Sequence, residues 1–101
     1  MRQVNFFREE DFVEELRSDH AMVDEGVVRL DIVEDATKNE WVVVGSFQVL
    51  DRILVFRQSC GNVTPGHRGV DGKPIAEEVI ARLLGVVSEF PNLSHRRGVL
   101  L

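Results

Sequence analysis

Apolar residues recur at helical spacing near the start of the chain. Phe12, Leu16 and Val23 fall on one face of a helix, and His20 lies on the same stripe. Acidic residues stand where such a helix would begin, which is favourable near its positive end. The pattern predicts a first amphipathic helix over residues 8–24.

A wider apolar stripe near the end of the chain predicts a second helix over residues 74–90. Pro74 suits its first turn and Pro91 ends it. The apolar members share one face of this helix, and they are Ile75, Val79, Ile80, Leu83, Leu84, Val87 and Phe90.

Between the two helices the period changes to that of strands. Apolar and polar residues alternate over 27–33, which is typical of a strand with one wet face. Two further strands are predicted over 41–50, with a bulge or bend at Gly45, and over 53–58. Because the connections are too short for parallel crossovers, the three strands are predicted to form an antiparallel meander.

The order of elements indicates an α+β, two-layer α-β-β-β-α domain. We expect one domain over residues 1–101, because 101 residues leave little room for a second core. The tail, residues 91–101, either adds a short C-terminal strand or packs over the core. This order is similar to that of double-stranded-RNA-binding domains between residues 8 and 90. That family carries lysines at the start of its second helix, where this chain has Lys73 followed by Pro74 and acids, so the resemblance is used for topology and not for function.

Residues 59–73 are predicted to form a long Gly-rich loop that leads into the second helix. A loop of this length in a small domain is more often functional or mobile than idle, and a helix N-terminus favours anions. It does not match a P-loop, because its glycines have the wrong spacing. Its candidate ligand-binding residues are Cys60, Thr64, His67, Arg68, Asp71 and Lys73.

Several apolar or small residues are left without a partner in this two-layer arrangement. Exposed apolar surface usually marks an interface, so we expect a homo-oligomer, with a dimer favoured. The candidate interface residues are Val42, Val44, Ala81, Gly85, Val99 and Leu100.

Charge and composition exclude several classes. The net charge of −5 disfavours nucleic-acid binding, and no apolar run is long enough to span a membrane. The start of the chain lacks the apolar region of a signal peptide, so we expect a cytoplasmic protein. The single cysteine excludes an intramolecular disulfide.

The sequence gives little support for a metal site or for a catalytic site. The three histidines are far apart in sequence, and the acidic turn over 31–40 departs from a calcium loop at the turning glycine and at the last ligand. Cys60 and His67 could pair as nucleophile and base, but nothing in the sequence orients them. No metal, cofactor or catalytic residue is therefore assigned.

These observations favour a small acidic, non-catalytic protein-interaction or regulatory module that self-associates. The alternative is a small-molecule or anion-binding protein that uses the 60–73 loop. An enzyme of unknown class is the third hypothesis.

Overall fold

Five strands and two helices make up the described part of the chain, residues 3–63 and 71–99 of a computed structural model. The elements in chain order are β1 (Gln3–Phe7), α1 (Glu9–Asp19), β2 (Gly26–Asp35), β3 (Glu40–Val49), β4 (Arg52–Asn62), α2 (Lys73–Val87) and β5 (Leu93–Arg97). A 3₁₀ turn, His20–Met22, follows α1.

The strands form one mixed sheet in the order β1-β4-β3-β2-β5. The central strands β2, β3 and β4 pair antiparallel, whereas β1 pairs parallel with β4 and β5 pairs parallel with β2. The α+β class is confirmed, but the predicted antiparallel meander and the α-β-β-β-α order are wrong. Two further strands lie at the sheet edges. β1 was not predicted, whereas β5 is the short C-terminal strand that was one of the two alternatives for residues 91–101. Each parallel pairing is allowed by a helix that carries the chain across the sheet.

The boundaries of the central strands also differ from the prediction. β4 continues to Asn62, so the predicted loop starts later than residue 59. The bulge lies between Trp41 and Val42 and not at Gly45. Gly45 is needed for a close approach instead, because a Cβ there would lie 3.0 Å from Leu30 Cδ2.

Both helices contribute to one hydrophobic core on a single face of the sheet. Phe12 of α1 packs against Phe56 of β4, with ring centroids 5.8 Å apart. Leu83 of α2 is fully buried in the same cluster. Burial of a large apolar side chain contributes about 1.5–3 kcal/mol, so these contacts hold the helices against the strands.

The other face of the sheet, here called the outer face, has its own apolar residues. Val42, Ile53 and Val55 are buried but lie outside the cluster that contains the helices. The parallel register places Val4 beside Ile53 and Phe6 beside Val55, so both β1 side chains belong to the outer face.

Candidate functional site

A cleft of about 510 Å³ opens where the first half of α2 lies over β2 and β3. It combines apolar walls with charged groups of both signs. Its lining residues are Asp31, Ile32, Trp41, Lys73, Glu77, Ile80, Ala81, Leu84 and Arg97.

Trp41 lines this cleft and is held from two sides. Its indole Nε1 donates a hydrogen bond of 2.9 Å to Asp71 Oδ1. The same carboxylate oxygen accepts a 3.0 Å hydrogen bond from the backbone N–H of Lys73, which starts α2. The Lys73 ammonium lies 5.3 Å from the centroid of the indole ring, within cation–π range. Asp71 therefore fixes the ring and the helix start relative to each other.

Gly72 allows the chain to approach β4 closely at this point. Its N–H donates a 2.8 Å hydrogen bond to the Asn62 carbonyl. A Cβ at Gly72 would lie 2.5 Å from the Cys60 carbonyl oxygen, which no side chain tolerates without a shift of the backbone. This hydrogen bond and close approach hold the end of β4 against the start of α2 beside the cleft.

The charged groups of the cleft are only weakly paired. Arg97 lies 3.9 Å from Asp31 Oδ1, and its side chain remains 68% exposed. Asp31 Oδ1 also accepts a 2.9 Å hydrogen bond from the Ile32 N–H. Within residues 3–63 and 71–99, no carboxylate lies within salt-bridge distance of the Lys73 ammonium.

The structure separates the predicted ligand-binding residues. Asp71 and Lys73 meet at Trp41, whereas Cys60 is buried on the core side of β4. Thr64, His67 and Arg68 lie outside the described residues. Trp41 and Arg97 were not predicted as site residues, and the signal for Trp41 was its place as the single tryptophan at the start of a strand.

Cys60 is in an environment that suppresses thiol reactivity. Burial raises the pKa of its thiol above the usual value. The thiol donates to the Gln58 carbonyl over 3.6 Å. A thiol with this surrounding is a packing residue and a poor nucleophile.

A second candidate surface is the free edge at β1. Phe6 is 76% exposed and Val4 is 44% exposed, which makes Phe6 the most exposed of the large apolar side chains in the described chain. β1 contains no charged residue and no proline. An edge strand of this kind is a template for pairing with another strand.

The opposite edge, at β5, is polar and basic. Leu93 is buried against the core, and the exposed residues that follow it are Ser94, His95, Arg96 and Arg97. Positive side chains on an edge strand oppose pairing with a second basic strand.

The predicted interface residues fall in three different environments. Val42 is fully buried within the chain, and Val44 and Val99 are half-buried. Ala81 and Gly85 are exposed on α2, and a Cβ at Gly85 would meet nothing within 4 Å. Leu100 lies outside the described residues.

A cluster of charges joins α1 to the beginning of β4. Arg52 Nη1 donates to Asp19 Oδ2 over 3.1 Å, and Arg52 lies 3.6 Å from Glu15. Asp19 is buried with its side chain only 5% exposed. Burial raises the pKa of Glu15, and the neighbouring Asp19 raises it further, against the opposing effect of Arg52. The cluster is best explained as a structural link between α1 and β4.

In the acidic turn between β2 and β3, the Asp35 carboxylate has hydrogen-bond and ion-pair partners on both of its oxygens. Asp35 accepts hydrogen bonds from the Thr37 N–H and hydroxyl, and its other oxygen lies 2.8 Å from Arg57. Asn39 has a φ of 51°, as is usual for asparagine in a tight turn. In the part of the chain that the structure describes, no three His, Cys, Asp or Glu residues are placed to hold a metal ion.

His20 does not line the cleft and packs against the segment that follows α2. Its ring stacks on Phe90 with centroids 4.0 Å apart. Its backbone carbonyl accepts a 2.7 Å hydrogen bond from Asn92 Nδ2. These contacts tie the turn after α1 to the segment between α2 and β5.

Neither helix of the described chain has the length and apolar character needed to cross a membrane. Comparison of the chain with family models, with curated proteins and with solved structures found no match.

Proposed function

We propose that the protein is a non-catalytic interaction module that self-associates through the outer edge of β1. The observation that carries the proposal is the exposure of Phe6 and Val4 on an uncharged edge strand. Exposed aromatic surface beside unpaired strand backbone is costly in water and is normally covered by a partner. A second copy of the chain is the occupant that we propose.

The backbone of β1 offers two residues for this pairing. Gln3 donates its N–H to the Asp51 carbonyl at 2.9 Å, so the backbone groups of Gln3 point towards β4. Successive residues of a strand point their backbone groups in opposite directions. The N–H and C=O groups of Val4 and Phe6 therefore point away from the sheet, where they can bond to a second strand.

A two-fold axis that passes between the Asn5 residues of two protomers gives a consistent register for pairing their β1 strands. Antiparallel pairing about Asn5 sets Val4 of one protomer opposite Phe6 of its partner, and the reverse pair follows by symmetry. In this register the outward backbone groups form four hydrogen bonds. The two aromatic–β-branched pairs contribute about 0.2–1 kcal/mol each.

Sedimentation of the wild-type protein and two variants over a range of concentrations tests the proposal. Wild-type protein is expected to dimerise. Phe6→Glu is expected to weaken the dimer about tenfold or more, because both cross-strand pairs are lost and two charges enter the interface. Val4→Pro is expected to prevent dimerisation, because it removes an outward N–H and no bond within the protomer.

Two matched variants separate this edge from other surfaces. Ile75→Glu places the same charge on an exposed apolar position of α2 and should leave the dimer intact. Val4→Thr retains the N–H and the β-branch and should also dimerise. A wild-type protein that stays monomeric, or a dimer that survives Val4→Pro, would contradict the proposal.

The alternative function, binding of a small molecule near the 60–73 segment, is favoured by a separate observation. The cleft beside Lys73 holds the single tryptophan of the chain between apolar walls and weakly paired charges. This function requires no change at β1, so the two can coexist in one protein.

A further inference from the structure

We infer that the cleft around Trp41 binds a small carboxylic acid with an apolar body. The inference deepens the alternative function above and rests on it. It is independent of self-association, because the cleft lies between α2 and the strands β2 and β3, whereas β1 lies at the opposite edge from β5.

The size and walls of the cleft suit the body of such a ligand. Its volume of about 510 Å³ falls within the range of roughly 300–1,000 Å³ that is typical of small-molecule sites. Five of its nine lining residues are apolar, and they are Ile32, Trp41, Ile80, Ala81 and Leu84. A ring or branched chain would bury its surface against them.

The mouth of the cleft is open because β5 is short. Arg97 ends β5 and pairs with Leu30, so β2 continues from Asp31 without a neighbour on that side within the described chain. Arg97 therefore stands at the point where the cleft meets solvent. From there its exposed guanidinium can reach a ligand that enters.

Two cations are available for a carboxylate. Arg97 is held only at 3.9 Å by Asp31, and a guanidinium binds a carboxylate with two parallel hydrogen bonds. The Lys73 ammonium contacts the Trp41 ring at 5.3 Å. Both can turn towards an incoming anion without breaking a short ion pair.

The acids of the lining limit the charge of the ligand. Asp31 and Glu77 balance Lys73 and Arg97, so the four charged side chains sum to zero. A polyphosphate would bring several negative charges to a lining that has only two cations, both offset by carboxylates, so most of its charge would stay uncompensated. A single carboxylate is therefore favoured over a nucleotide or a sugar phosphate.

Fluorescence of Trp41 provides a direct measurement, because Trp41 is the only tryptophan in the chain. Phenylacetate titrated into the wild-type protein is expected to change the emission saturably. Phenylacetamide, which has the same body without the charge, is expected to bind at least tenfold more weakly. Tripolyphosphate is expected to have no saturable effect.

Paired variants locate the binding site. Arg97→Gln is expected to weaken phenylacetate about tenfold, whereas Arg96→Gln, its exposed neighbour in β5, should have no effect. Ala81→Phe fills the cleft and should prevent binding. Gly85→Ala, one turn later on α2 in open space, should not.

The possible results separate clearly. Absence of any saturable change with phenylacetate would overturn the inference, and so would equal affinity for phenylacetate and phenylacetamide. Binding that survives Ala81→Phe would place the ligand elsewhere and would also overturn it. Sedimentation of the same samples reports on self-association, so failure of one proposal is distinguishable from failure of the other.

Discussion

The two edge strands present similar backbones to solvent and very different side chains. β1 has the sequence Gln-Val-Asn-Phe-Phe and no charge, whereas β5 continues from Leu93 into Ser-His-Arg-Arg. Both pair in parallel with a long central strand, and both are five residues long. The difference between the edges therefore lies in which partners their side chains accept.

This comparison shows how one sheet can keep one edge available and protect the other. Arginine side chains on β5 repel a second copy of the same strand and leave room for an anion. The exposed Phe6 on β1 has no such protection. Under the proposal above, pairing through β1 alone closes as a dimer, whereas a second pairing edge at β5 would let the sheet extend further.

The largest expected effect comes from removing the core contact between α1 and β4, the strand that pairs with β1. Phe12 is fully buried and packs on Phe56 of β4, the strand that holds β1. Phe12→Ala should lower the free energy of unfolding by about 3–5 kcal/mol, measured by urea denaturation. Met22→Ala, at an exposed apolar position, should change it by less than about 0.5 kcal/mol. A loss below about 1 kcal/mol for Phe12→Ala would mean that α1 is not packed as described.

A smaller effect is expected from removing the charge difference between the edges. The double variant His95→Thr and Arg96→Thr gives β5 an uncharged segment while retaining Arg97 at the cleft. Each protomer would then have two edges able to pair, so species larger than a dimer should appear in light scattering. Like charges opposite each other cost a few tenths to about 1 kcal/mol per pair, so a rise of several-fold in association is expected. If the double variant sediments as the wild type does, charge is not what protects β5.

The smallest expected effect concerns the β2–β3 hairpin, whose strands lie between the two edge strands. The hydroxyl of Thr37 lowers the pKa of Asp35 from its ordinary value of 3.8, and nearby backbone N–H groups and Arg57 lower it further. This lowered pKa stabilises the folded protein relative to the unfolded chain. The stabilisation is complete above pH 3.8 and is lost as the pH falls through the lowered pKa of Asp35. A titration of the Asp35 carboxyl by NMR should give a lower pKa than the same titration of Thr37→Val. An unchanged pKa in that variant would contradict the assignment of the cause.

The sequence was sufficient for the central part of the fold, whereas at the edges it left the C-terminal strand as one of two alternatives and did not indicate the pairing of either edge strand. Alternation in 27–33 and the apolar run after Trp41 indicate strands because these segments bury their side chains in the core. β5 has one apolar residue in five, so it has no alternation to detect. β1 could equally have begun the first helix, because Phe6 and Phe7 are adjacent. Parallel pairing of both strands depends on helices that cross the sheet, which local patterns do not report.

The candidate cleft shows the same limit. Lys73 and Asp71 were predicted from their place before a helix, and their position beside the cleft follows from that. Trp41 and Arg97 join them only because β3 and β5 lie on either side of β2. Their separation along the chain gives no local signal, so the constellation appears only once the order of the strands is known.

The parallel edges also have a consequence for the order in which the protein folds. β2, β3 and β4 follow one another along the chain and can pair through short turns. In contrast, β1 pairs Gln3 with Arg52, and β5 pairs Gly26 with Leu93, so each closes a long loop. Contacts of high sequence separation form slowly because their loop entropy is lost before they are made. We therefore expect the central hairpins to form first and the two edge strands to join last, so that a newly made chain completes the β1 edge only at the final step.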